Sequence, residues 1–222
     1  MGAAEESSAL SRRSFAFAAG GAAVMLGLGT LKFVPTRPIC RPPGGQDEDS
    51  FLGACLRCER CREICPQNVI VPAHLEQGIL NVRTPTMNFK EGWCDFCEEA
   101  NAGIPLCEGV CPTKALRLVP DFKPEEVVIG KAVINRNWCL GWLLKGCKKC
   151  FEVCPYEAIE MEQLEGLGNY NNSDYQRPHV IEDKCNGCGL CENRCPSMMN
   201  SSLTEGATDR AITVHAVTIQ GD

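Results

Sequence analysis

The chain has 222 residues, and its 17 Cys against 8 Phe, 3 Trp and 3 Tyr exclude a large apolar core as the chief organiser of the fold. A formal charge of −6 leaves no net basic field for phosphate, so nucleic acid is excluded as an expected partner. The cysteines fall in four tight clusters. Neighbours three residues apart can surround a metal centre, whereas pairing so many of them as disulfides would strain the chain.

Near the N-terminus, Ser11-Arg12-Arg13-Ser14-Phe15-Ala16-Phe17 places two arginines before Phe15–Leu31, an uncharged run rich in Gly and Ala. This is the layout of a twin-arginine export signal. A buried N-terminal helix is the plainer alternative, but Gly20, Gly21, Gly27 and Gly29 would weaken a helix packed in a core. Export of folded cargo suits a protein whose clusters are inserted in a reducing cytoplasm. Residues 1–34 are therefore expected to be the signal. With no Ala-x-Ala cleavage site after the run, the leader is also a candidate anchor, at the short limit for spanning a bilayer. Arg12 and Arg13 would then stay on the cytoplasmic side and the clusters would face the periplasm. Residues 35–50, with Pro35-Thr36-Arg37-Pro38 and Arg41-Pro42-Pro43-Gly44-Gly45, read as a stiff linker, leaving 51–222 as the cluster domain. Cys40 lacks the small preceding residue that lipidation usually needs and is expected to be an unliganded side chain.

Aligning the Cys-Pro dipeptides at 65–66, 111–112, 154–155 and 195–196 reveals four copies of one unit. Cys55-x2-Cys58-x2-Cys61-x3-Cys65-Pro66 and Cys185-x2-Cys188-x2-Cys191-x3-Cys195-Pro196 match the bacterial ferredoxin run without a gap. The second unit, Cys94-x2-Cys97-x9-Cys107-x3-Cys111-Pro112, inserts a loop between its second and third cysteines. The third, Cys139-x7-Cys147-x2-Cys150-x3-Cys154-Pro155, inserts one between its first and second. Lengthening a loop between ligands adds little closure entropy, so both remain compatible with a cubane. Short β-like runs enter the third and fourth units at Ala132–Ile134 and His179–Ile181. Others leave at Ala115–Leu118, Ala158–Met161 and, after a polar loop at 200–209, Ala211–Val214. Each unit also predicts a short helix that stops before its proline. Strand, cluster loop, helix and strand make half of a ferredoxin domain. The expected fold is α+β: two fused bacterial-ferredoxin-like modules, each for two [4Fe-4S] clusters, built from four Cys-rich repeats.

A cubane takes four thiolates, and Cys-x2-Cys-x2-Cys supplies three while aiming backbone N–H groups at the sulfurs. The fourth cysteine, carried off by the helix, ligates the partner cluster in ferredoxins of this type. Zinc is the rival metal, but its four-cysteine sites usually present two separated Cys-x2-Cys knuckles. The near-equal gaps between units leave their pairing open. Ordinary packing is the expected role of Trp93 and Trp138, and solvated counter-charge that of Arg57, Arg60, Arg62, Lys145, Lys148 and Lys149. His74, His179 and His215 lie outside the cysteine loops and are not expected to be ligands. No nucleophile or His–carboxylate constellation marks a substrate site, so an electron carrier is expected, not an enzyme.

From Arg41-Pro42-Pro43-Gly44 to its end, together with the twin-arginine leader and the seven-residue Cys139–Cys147 gap, the chain resembles the NapG/MauM group of ferredoxin-type proteins. Within that group it is most similar to members from periplasmic nitrate reductase systems. The resemblance implies four [4Fe-4S] clusters, with the first unit paired with the fourth and the second with the third. Cys55, Cys58, Cys61 and Cys195 would then hold one cluster, and Cys185, Cys188, Cys191 and Cys65 a second. Cys94, Cys97, Cys107 and Cys154 would hold a third, and Cys139, Cys147, Cys150 and Cys111 the last. It further implies a relay of electrons from a NapH-like, quinol-oxidising membrane iron–sulfur protein to an exported reductase, nitrate reductase foremost, after passage through the twin-arginine translocase. Alternatives are an electron-transfer subunit of another molybdenum oxidoreductase or of methylamine utilisation and, from a different class, a cluster-bearing enzyme or sensor.

Overall fold

The structure is a computed structural model that describes residues 12–31, 38–98, 104–164, 176–197, 204 and 206–217. Helix α1 (Arg12–Leu31) carries the apolar run, and Phe15, Phe17, Val24, Met25 and Leu26 on it are exposed. It is thus not the buried helix of the plainer alternative. Among the described residues, no helix is long and apolar enough to cross a membrane.

The first half of the cysteine-rich region contains α2 (Glu48–Ala54), α3 (Arg60–Ile64), β1 (Ile70–Pro72), β2 (Pro85–Met87) and α4 (Leu106–Gly109). The second contains β3 (Lys131–Ile134), α5 (Lys149–Val153), β4 (Ile159–Gln163), β5 (Gln176–Val180), α6 (Leu190–Asn193) and β6 (Ile212–His215). Each short helix from α3 onward ends shortly before a Cys-Pro pair. Cys65 and Cys154 are extended there, at φ −70°, ψ 114° and φ −73°, ψ 111°, because a following proline disfavours the helical region.

Three antiparallel two-stranded sheets pair β1 with β2, β3 with β6 and β4 with β5. The strand entering the third unit thus pairs with the one leaving the fourth, Ala132 opposite Val214. The strand leaving the third pairs with the one entering the fourth, Ile159 opposite Val180. In the first half, β1 after the first unit pairs with β2 before the second, Val71 opposite Thr86. The outer pair there is reduced to one bond, from Arg117 N–H to Gly44 O at 3.1 Å. The expected exit strand Ala115–Leu118 therefore does not form. Ala115 and Leu116 are buried, and the N–H of Leu118 goes to the Glu108 carboxylate at 3.1 Å instead.

The boundary expected at residue 51 also moves. Cys40, Arg41, Pro42 and Pro43 are buried, so the Arg-Pro-Pro-Gly stretch is part of the fold and not a linker. Arg41 anchors it, donating to Thr84 Oγ1 at 2.6 Å, Asn81 Oδ1 at 2.8 Å and Pro85 O at 2.9 Å, with Glu48 as its ion partner and the Phe51 ring 4.6 Å away. Asp47 caps α2 by accepting from Ser50 N–H. Half of the expected polar loop at 200–209 lies outside the described residues. Thr204 within it is buried and donates to Ser197 O at 2.9 Å.

Two small apolar clusters fill the interior. Phe51, Val69, Phe89, Phe96 and Leu116 lead the first, and Ala132, Ala158, Ile159 and Ile212 the second, with cysteines embedded in both. Cores this small fit a fold completed by bound inorganic groups.

Candidate iron–sulfur sites

In each unit the residue just before the second cysteine is left-handed: Arg57 at φ 54°, Phe96 at 54°, Gly146 at 68° and Gly187 at 79°. Arg57 and Phe96 accept a conformation that L side chains disfavour, which marks a turn imposed by the site. The third cysteine then enters a helix, Cys61 in α3, Cys107 in α4, Cys150 in α5 and Cys191 in α6. The winding turns backbone N–H groups toward sulfur. Cys154 Sγ accepts from Ala158 N–H at 3.3 Å and Cys185 Sγ from Ala132 N–H at 3.5 Å. Others run from Phe96 to Cys94, from Trp142 and Gly141 to Cys139, and from Leu190 to Cys188.

Four small cavities of about 20–30 Å³ result, each lined by four cysteines. Cys55, Cys58, Cys61 and Cys111 line one, and Cys65, Cys94, Cys97 and Cys107 the next. Cys139, Cys147, Cys150 and Cys195 line the third, and Cys154, Cys185, Cys188 and Cys191 the fourth. Three cysteines thus come from one unit and the fourth from another, as crossed ligation requires. All seventeen are free of disulfides.

The pairing drawn from the resemblance is corrected. Cys195 joins the third unit rather than the first, and Cys65 joins the second rather than the fourth. Cys154 joins the fourth unit and Cys111 the first. The reason is local packing: α3 lies on α4 and α5 on α6, while the β1–β2, β3–β6 and β4–β5 pairs tie neighbours in the chain together.

The donor set fits a cubane. Among the described residues, no three His, Cys, Asp or Glu converge tightly enough to hold a single metal ion. Three closely spaced cysteines of one unit joined by a fourth from another are the donor arrangement of a cubane. Burial pushes the free thiols up, Cys61 and Cys150 to about 12 and Cys188 to about 11, so they are protonated until a cluster displaces the protons. At Cys111 burial pushes upward, but N–H donors from Leu116, Ala115 and Thr113, with the Thr113 hydroxyl, bring the thiol below its ordinary range.

Trp93 lines the Cys94 cavity and lies under the Arg194 guanidinium at 5.0 Å. The basic residues of the loops behave as surface charges: Arg62 pairs with Glu59, and Lys148 and Lys149 with Glu152. None of the three histidines lines a cysteine cavity. An open groove along β1 and β2 beside His74 contains no cysteine.

Sequence reasoning missed Trp142, inside the Cys139–Cys147 insertion. Its indole N–H donates to Pro178 O at 3.1 Å, and Arg136 and Arg177 lie over its ring at 4.2 and 4.7 Å. This clamp holds the insertion as a stack of turns, with Leu143 N–H on Cys139 O and Lys145 N–H on Leu140 O. A lone aromatic in a ligand-to-ligand insertion, with arginines before and after it in the chain, was the available signal.

Comparison with known proteins agrees with this geometry. Two 4Fe-4S dicluster domain families match, one over residues 54–116 and the other over 145–199, the spans that join the first unit to the second and the third to the fourth. The methylamine utilization ferredoxin-type protein MauM of Methylophilus methylotrophus is 33% identical over 77% of this chain and 73% of its own length. MauM of Methylorubrum extorquens is 34% identical over 70% of this chain and 67% of its own. The ferredoxin-type protein NapG of Escherichia coli is 34% identical over 70% of this chain and 65% of its own. The chain belongs to the NapG/MauM family of ferredoxin-type, [4Fe-4S]-bearing electron-transfer proteins.

Proposed function

We propose that the protein is an electron relay with four [4Fe-4S] clusters, one in each four-cysteine cavity. The observation that carries this is that four separate cavities divide sixteen cysteines into sets of four, leaving Cys40 over. When bound, a cubane supplies reversible one-electron chemistry at low potential. The chain's own residues hold and tune it. Thiols give up their protons on ligation, the N–H groups of Ala132 and Ala158 lie against ligand sulfurs, and apolar walls such as Ile159 and Leu116 exclude water.

In this proposal electrons come from a NapH-like, quinol-oxidising membrane protein and go to an exported reductase, of the nitrate reductase kind, with no substrate site on this chain. Likeness to NapG supports it. Arg12 and Arg13, at the start of an exposed apolar helix, support delivery by the twin-arginine route to the periplasmic side. A second reading, service in methylamine utilisation, is favoured by the equal likeness to MauM. To test the relay, the anaerobically oxidised protein is mixed with quinol and membranes containing a NapH-type protein. Bleaching of the cluster absorbance is expected. Protein that dithionite bleaches but quinol-charged membranes do not would contradict the membrane donor.

A further inference from the structure

Within each half two sites lie side by side, because the helices bearing their third cysteines pack together: α3 with Cys61 on α4 with Cys107, and α5 with Cys150 on α6 with Cys191. The halves meet at a seam between the second and fourth units. Cys94 N–H donates to Cys188 O at 2.8 Å, linking a cysteine of the second unit to one of the fourth. Around that bond, Asn193 Nδ2 donates to Phe89 O at 3.2 Å, Arg210 Nη1 donates to the same oxygen at 3.3 Å, and Lys90 pairs with Asp209 at 2.9 Å.

Exposure follows the same order. Cys185, Cys188 and Cys191 are buried, whereas Cys58 is exposed. The rim of the Cys55 site shows Leu56 at 66% exposure with Arg57 and Arg60, and the Cys139 site lies near exposed Leu144 and Phe151 with Lys145 and Lys149.

We infer that the four sites form a single file in the order Cys55 set, Cys94 set, Cys185 set, Cys139 set, so that the third and fourth units are exchanged in space relative to the chain. The inner sites couple across the Cys94–Cys188 bond, and the outer two are the ports. One electron taken from a reduced iron–sulfur partner at one port leaves to an oxidised partner at the other, with no bond made or broken. This inference rests on the proposed occupancy of the four cavities, which iron content tests separately.

The test is EPR of dithionite-reduced full-length protein and of single-site variants, each first assayed for iron. Cys147→Ala should lose a quarter of the iron, and the three remaining clusters should all stay spin-coupled. An isolated, unbroadened signal in that variant would overturn the order, because it would put the Cys139 site inside the file. Cys97→Ala should likewise lose a quarter of the iron but release one isolated signal, from the Cys55 site. Three coupled clusters there would equally overturn it. Should Cys97→Ala fail to accumulate, Cys147→Ala at the half-exposed outer site still decides between this order and the order of the chain. Wild-type iron below four cubanes would instead refute the occupancy.

Discussion

The backbone N–H of Cys94 donates to the carbonyl of Cys188 across 2.8 Å, so that a cysteine of one module is hydrogen-bonded to a cysteine of the other. Gly189, the next residue, makes the approach possible: it sits at φ +83°, and a Cβ there would lie 1.9 Å from Phe89 Cδ1. Gly189→Ala combines backbone strain with a ring clash and is expected to destabilise the seam by about 2–3 kcal/mol. Heating while following cluster absorbance checks this, and an unchanged midpoint would refute the packing.

Arg41→Ala should be among the more destabilising single changes, at about 3 kcal/mol, because it leaves buried Asn81 and Thr84 short of a partner and removes the cation from the Phe51 ring. Arg41→Lys should rescue little, since an ammonium cannot serve a fork of separate acceptors. Chemical denaturation of both variants is the measurement.

Cys40→Ala is expected to keep the full iron content. Its thiol is buried, and burial, with the Glu192 charge second, pushes it from 9.0 up to about 12. Because the folded value is raised, the stability held by the neutral thiol is fully present below pH 9.0 and is lost as pH rises toward about 12. Over that window the wild type should lose up to about 1.4 kcal/mol per pH unit that Cys40→Ala does not lose. Parallel denaturation series at rising pH compare the two.

Changing Arg12 and Arg13 together to Lys should hold the protein in the cytoplasm with its clusters intact. Fractionation with an iron assay on each fraction reads the outcome, and unimpaired export would remove the proposed address.

The cysteines that line the four cavities were legible as candidates in the sequence because cysteine spacing is itself the geometry of a cubane loop. The strands at 132–134, 159–161 and 212–214 were legible as short β-like runs flanking the third and fourth units. The pairing of units was not. Near-equal gaps between Cys65, Cys94, Cys111 and Cys139 carry no preference, and the choice is made by packing of α3 on α4 and of α5 on α6. Arg41 was read as linker because Pro42, Pro43 and Gly44 look like a spacer, and its acceptors Asn81 and Thr84 lie about forty residues away. The run at 115–118 has strand composition, but among the described residues a single backbone bond, from Arg117 N–H to Gly44 O, stands in place of a ladder.

The central claim, four cubanes in four four-cysteine sites, is tested most directly by iron and acid-labile sulfide on anaerobically purified protein. The account predicts equal iron and sulfide amounting to four cubanes per chain. Bound zinc, or only two cubanes per chain, would contradict it.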